Sequence, residues 1–264
     1  MLDKILLYIP QRNRFERIWK IAQVDFKKNF YNNKLGLLWA FLNPLLKLLI
    51  YYFAFTFLME RVREGIDNFA LFLFSALIFW MEFTRTLKTG MRVIDKKRYL
   101  IENIKIRKVD LFISLAISSF LAFIFNLIAY MLIAFVFKTH FSINILVLPI
   151  LIINLYLITI GLSMILSVLY LIVRDIVHLV DIMILFGFWT SGIMFPSELV
   201  LVKIPILYYI NPFMGLFTNI RAVLVYDSEI NIAIMNINLL TGIILVIIGY
   251  NILNLYSKKA FEYL

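Results

Sequence analysis

Phe69-Ala-Leu-Phe-Leu-Phe-Ser-Ala-Leu-Ile-Phe-Trp-Met-Glu-Phe-Thr-Arg-Thr-Leu87 carries only two ionisable side chains, and it runs directly into a segment holding Lys88, Arg92, Lys96, Lys97, Arg98, Lys105, Arg107 and Lys108. An apolar run of about 20 residues is what a helix needs to cross the hydrocarbon layer of a bilayer. A basic cluster at one end holds that end on the cytoplasmic side. This pairing decides the class of the fold, and the rest of the chain repeats it. Further spans are read near Leu35–Met59, Leu111–Phe137, Ile143–Val173, Val177–Phe195 and Ile237–Tyr256. The fourth is long enough to tilt or to extend beyond the bilayer. Hydrophobic residues make up 63% of the 264, against about 45–50% in ordinary soluble domains, and the mean hydropathy is +0.92. The expected architecture is all-α and polytopic, with six transmembrane helices in residues 35–264 behind an N-terminal arm at 1–34.

Basic residues set the orientation. Nineteen fall on one side of these six spans, eight of them before the first span, and five fall on the other: Arg61, Arg63, Lys138, Lys203 and Arg221. The positive-inside rule places both termini in the cytoplasm, and an even number of spans agrees. The net charge of +10 is thereby absorbed by topology and attraction to anionic lipid, leaving no call for nucleic acid. Residues 5–10 are too short for the apolar core of a signal peptide, and Arg12 to Lys34 is rich in charge. Insertion is therefore expected to be signalled by the first span itself. With no cysteine and only His140 and His178, disulfides, thiol nucleophiles and a multi-histidine metal centre are excluded within one chain.

Two segments depart from the plain span pattern. In the arm, Phe15, Ile18, Trp19, Ala22 and Phe26 recur at three- and four-residue steps, with Arg14, Arg17, Lys20, Lys27 and Lys28 on the opposite face. That predicts an amphipathic helix in the cytoplasmic interface. Between Phe195 and Arg221, Pro196, Pro205 and Pro212 break up short apolar runs. Ile204 to Phe217 is too apolar for an open loop, so short re-entrant helices between the fifth and sixth spans are expected.

Chemistry-bearing residues are sparse. No G-x-x-x-x-G-K-[ST], H-E-x-x-H or G-x-S-x-G is present, so a cradle for nucleotide phosphates and the common hydrolytic sites are missing. Glu82 and Arg85 share a helix face within the second span, and Lys47 lies mid-way along the first. Intramembrane charges mark function by default, yet Glu82 and Arg85 can also neutralise each other, and Lys47 calls for a partner, with Glu82 in reach. Asp175, His178 and Asp181 follow Arg174 at the cytoplasmic turn. Their spacing suits a relay or half a metal site, but a solvated helix start capped by Asp175 explains it as well. Trp39, Tyr51, Tyr52, Phe55 and Trp189 are candidate channel-lining aromatics, offering flat faces for weak, repeated contacts with sugars; an interfacial aromatic belt is the alternative. Finally, Lys97, Arg98, Tyr99, Leu100, Ile101 and Lys105 interleave charge and apolar surface, as a helix docking into a soluble partner would.

At this point the motifs resemble a family: the ABC-2 type membrane subunits that export polysaccharides, including O-antigen, capsule and teichoic acid. Lys34-Leu-Gly-Leu-Leu-Trp39 with Asn43-Pro44 is similar to that family's entry into its first span. Val173-Arg-Asp175, Phe188-Trp-Thr-Ser191 and Tyr209-Ile-Asn-Pro212 with Arg221 resemble its later elements, in order. The resemblance covers nearly the whole chain. Two departures stand out. Gly192 follows Ser191 where the family commonly has proline, which predicts a different end to the fifth helix, and the cytoplasmic loop lacks a Phe-Pro, leaving the coupling register centred on Lys97–Ile106. The resemblance implies a homodimer in the inner (cytoplasmic) membrane above two separate ATPase subunits, which would hold the ATP and Mg. The chain itself would have no cofactor, metal or catalytic residue. A lipid-linked polysaccharide would pass between the copies. Alternatives are an ABC-2 permease for a drug or another lipid, or an ATP-independent channel.

Overall fold

The computed structural model describes residues 13–30, 35–36, 38–54, 68–104, 106–139 and 143–262. Phe55, Lys105, Arg61, Arg63 and His140 lie outside the described residues, as do the far end of the first expected span and residues 1–12 and 31–34 of the arm. The described chain is helical and contains no strand.

Helix α1 (Arg14–Phe30) opens with Asn13 accepting the amide of Phe15. Glu16 in its first turn and Lys27 and Lys28 in its last suit the helix dipole. Its apolar stripe buries Ile18, Ile21 and Ala22, packing against α6 (Lys108–Val136). The arm thus docks on its own chain rather than lying free.

Helix α2 (Leu38–Phe53) contains Pro44, whose missing N–H leaves the carbonyl of Ala40 without its usual partner. Helix α3 (Phe69–Met91), started by Asn68, is the axis of the molecule. Phe72, Phe74, Leu77, Ile78 and Phe79 are all buried, because α2, α6, α7 (Leu148–Ile172) and α11 (Pro212–Arg221) surround it. After α3 come two short helices, α4 (Val93–Lys96) and α5 (Arg98–Ile104). The longest packed seam joins α7 to α12 (Ile232–Glu262). There, a methyl group on Gly249 would sit 2.7 Å from the carbonyl oxygen of Gly161, so the two backbones touch. Close approach of this kind is how membrane helices gain packing when lipid offers no hydrophobic drive.

Helices α3, α6, α12 and the stretch Ile143–Ile172 are long and apolar enough to cross a membrane. Helices α2 and α8 (Ile176–Thr190) are apolar but shorter. The chain is a multi-pass membrane protein.

Several expected boundaries shift for local reasons. The fourth span is not one continuous α-helix: Ile143–Val147 forms a 3-10 turn, and the α-helix starts at Leu148 with Pro149 in its first turn. The fifth stops at Thr190 rather than Phe195, because Gly192 takes a left-handed φ of +69° just past the helix end. A proline could not adopt that angle, so the departure from the family pattern has a direct consequence. The chain then forms α9 (Ser197–Lys203), α10 (Pro205–Ile210) and α11. Asn211 stitches this unit together. Its Oδ1 accepts the amide of Phe213, capping α11, while its Nδ2 donates to the carbonyl of Thr190 and to Ser191 Oγ at the end of α8.

Candidate functional site

A groove of about 580 Å3 runs between α2, α3, α6 and α8. Its aromatic faces come from Trp39 and Tyr51 on α2, Trp80 on α3, and Phe188 and Trp189 on α8. Its polar lining includes Asn43, Thr84 and Asn126, and its charged lining Lys47, Glu82, Arg85 and Asp181. Seven candidate residues singled out in the sequence therefore meet in one place: Trp39, Tyr51, Trp189, Lys47, Glu82, Arg85 and Asp181. Tyr52 does not join them; it packs on the main core.

The charges divide into fixed and free. Glu82 is 1% exposed and accepts from three donors. Thr86 Oγ1 and the Tyr156 hydroxyl each donate to Oε1 at 2.8 Å, and Arg85 pairs with Oε2. Arg85 also donates to the carbonyl of Ser119 on α6 at 3.2 Å. The cluster binds α3 to α6 and α7, and three donors occupy most of the roughly four acceptor sites of the carboxylate, which fixes Glu82 as a structural anchor. Lys47 is not its partner: it stands on the exposed part of α2 and, among the described residues, has no carboxylate within 4.0 Å. The groove thus presents one uncompensated ammonium among aromatic faces. Thr84, in the same lining, has a buried Oγ1 that makes no hydrogen bond. A cavity of this size is in the range that takes small ligands or a short stretch of polymer.

Outer parts of this wall are themselves well ordered by packing. Trp80 lies edge-to-face with Phe213 at 5.1 Å between centroids, and Tyr51 against Phe188 at 5.5 Å. Trp80, Tyr156 and Asn126 were not picked out by sequence. Lone polar side chains within apolar spans, such as Asn126, are a signal that could have found one of them.

At the turn between α7 and α8, Arg174, Asp175 and His178 are exposed. Asp175 holds the position preceding α8 but makes no side-chain cap bond, since its backbone is already helical (φ −69°, ψ −10°) and turns the carboxylate away from the free amides. Asp181 is not simply solvated: it pairs with Lys88 at 2.6 Å, joining α8 to the end of α3. Among the described residues no cluster of metal-ligating side chains occurs.

The loop after α3 is clamped to α1 at one point, and the start of α6 at another. Lys97 pairs with Asp25, and Arg14 donates to Asp110 Oδ1 through Nε at 2.9 Å and Nη2 at 2.6 Å. Hydrogen bonding to Asp110, and then its charge, raise the Arg14 pKa above its ordinary value, so this clamp keeps its cation throughout the working pH range. Leu100 is buried and Ile101 packs on the same small core as Ile21 and Ile94. Arg98 pairs with Glu102, whereas Tyr99 points outward and is 63% exposed. The six candidate docking residues thus separate into an inner set and an outer one, with Lys105 outside the described residues.

Comparison with known proteins adds the following. Residues 16–225 match the family model described as ABC-2 type transporter. The chain is 26% identical over 251 residues to an O-antigen export system permease protein RfbA from Klebsiella pneumoniae, covering 95% of each chain. A second protein of that name from the same organism is 27% identical over the same extent. One from Myxococcus xanthus is 24% identical over 205 residues, 77% of this chain and 78% of that protein.

Proposed function

The chain belongs to the ABC-2 type transporter family, and from that premise we propose that it is the membrane subunit of an ATP-driven exporter of an O-antigen-like, lipid-linked polysaccharide. The names of its relatives support the substrate class. The observation that carries the reading is the convergence of Trp39, Tyr51 and Trp189 on one groove beside Lys47. Aromatic faces offer sugars weak and repeated contacts, which suit passage better than capture.

In this reading α2 and α8 complete six spans, and α9–α11 are re-entrant from the outer side, with residues 1–34 as the arm and 35–264 as the membrane domain. Both termini are cytoplasmic and the membrane is the inner one. The exposed apolar faces of α2 and α8 meet a second copy, so that two grooves enclose one path. Two ATPase subunits, which bind ATP and Mg, sit below, and this chain performs no catalysis of its own. The loop α4–α5 transmits their motion. Because that loop is clamped to α1 and cored by Leu100, a push on its outer surface moves the arm with it.

Two outcomes test this. Tyr51→Ala combined with Trp189→Ala is expected to lower polymer export about tenfold, two aromatic contacts at about 0.5–1.5 kcal/mol each, with ATPase activity of the complex retained. A permease for small amphiphiles would show no such sensitivity. Tyr99→Ala is expected to weaken co-purification of the ATPase about tenfold or more, as loss of an exposed tyrosine anchor does, while leaving insertion intact. Unchanged association would remove Tyr99 from the contact.

A further inference from the structure

Beside the groove lies a second cavity, a cleft of about 470 Å3 at the cytoplasmic end of the helices. Lys28 of α1, Arg85 of α3, Lys96 of α4 and Lys97 border it, and Asp25 is the one carboxylate among its lining residues. Asp25 is occupied by Lys97, and Arg85 by Glu82. Lys28 and Lys96 have no carboxylate within 4.0 Å among the described residues. An incoming anion therefore meets two unspent ammonium groups backed by two more cations.

Topology alone does not account for this arrangement. A positive-inside signal needs basic residues near the span ends, not their convergence on one hollow from separate elements. The cleft also has depth. Its inner wall includes Leu115 and Ser119 of α6, roughly 10–16 Å along the helix from Lys108 at 1.5 Å per residue. It therefore reaches from the charged surface to apolar lining at Leu115 and Val93. A charged mouth with an apolar wall suits a phosphate group attached to a hydrocarbon chain.

We propose that this cleft binds a phosphate group, with Lys28 and Lys96 as its principal cationic contacts. The phosphate could come from a lipid head group or from a free anion. A lipid source that is also the cargo rests on the export reading; the anion site itself does not. Arg85 borders both the cleft and the groove, so a head group held here would lie next to the groove's charged cluster.

The test uses the full chain in neutral detergent, with dodecyl phosphate and inorganic pyrophosphate as probes and binding followed by calorimetric titration. Lys28→Gln with Lys96→Gln is expected to weaken binding about tenfold or more, through loss of two charge-assisted contacts. Lys138→Gln with Lys203→Gln, which removes the same charge from remote exposed positions, is expected to leave it unchanged. Sensitivity with dodecyl phosphate alone upholds the site and identifies a lipid head group. The same sensitivity with pyrophosphate upholds it and identifies a free phosphate. Equal binding by both double variants, or no binding of either probe, overturns it. The titration needs neither ATP nor export, so a failed export assay leaves this result standing.

Discussion

Replacing Glu82 by alanine is expected to destabilise the folded protein by about 2–4 kcal/mol, less than the about 3–5 kcal/mol of a wholly buried ion pair because the Arg85 side chain left behind is 37% exposed. The magnitude follows from what the carboxylate holds. Three donors from three positions end on it: Arg85, Thr86 and Tyr156. Removing it leaves the guanidinium of Arg85, whose side chain is 37% exposed, without its counter-charge and takes the acceptor from the hydroxyls of Thr86 and Tyr156. Glu82→Gln keeps the volume and one acceptor but no charge, and is expected to cost less, about 1–3 kcal/mol. The informative variant is the neutral pair, Glu82→Gln with Arg85→Gln, which is expected to recover much of the loss because no unpaired charge remains. Thermal unfolding of the purified variants in detergent measures all three. Equal melting of Glu82→Ala and wild type would show that the cluster holds nothing together.

That cluster also marks where the sequence stops being readable. Four of the expected spans were legible because length and apolarity alone identify them: Phe69–Leu87 became Phe69–Met91, and Leu111–Phe137 became Lys108–Val136. The amphipathic arm was legible because polar and apolar residues alternate there with helical period, and Arg14–Phe30 follows that stripe. Inside the membrane this signal vanishes. A helix apolar on every side does not announce which face meets which neighbour, so nothing in the sequence places Tyr156 opposite Glu82. The expected Lys47–Glu82 pair failed for the same reason: chemistry nominated both residues, but packing had already filled Glu82 from its own helix and α7. Helix ends were better encoded when a special residue set them. Gly192, visible as a departure from the family pattern, ends α8 five residues before Phe195, and Pro149 sits in the first turn of α7. The gathering of Trp39, Tyr51 and Trp189 was anticipated as a list of aromatics, whereas their shared groove needed the three-dimensional packing of α2 against α3 and α8.

Arg221→Ala is expected to detach the α9–α11 unit from the core, lowering stability by about 2–4 kcal/mol through lost charge-assisted bonds and packing, and abolishing export. Arg221 is 3% exposed, and among the described residues no carboxylate lies within 4.0 Å of it. Its charge is instead met by dipoles and a ring. Nη2 donates to the carbonyl of Ile193 at 2.8 Å, and Nε to that of Phe72 at 3.3 Å. The guanidinium carbon lies 3.5 Å from the centroid of the Phe72 ring. One side chain thus ties the end of α11 to the start of α3 and to the segment just after α8. Only a planar fork does all three things at once: two donors diverge in its plane while its face covers an aromatic ring. Lysine retains the charge but offers a compact ammonium, so Arg221→Lys is expected to lose most of the stability that Arg221→Ala loses. Thermal melting ranks the two variants. If lysine rescues fully, charge alone holds the unit and the fork is irrelevant. If both melt early while the Tyr51/Trp189 double variant melts normally, export is lost by two separable routes: one through the frame that holds α8 in place, the other through the faces that α8 presents.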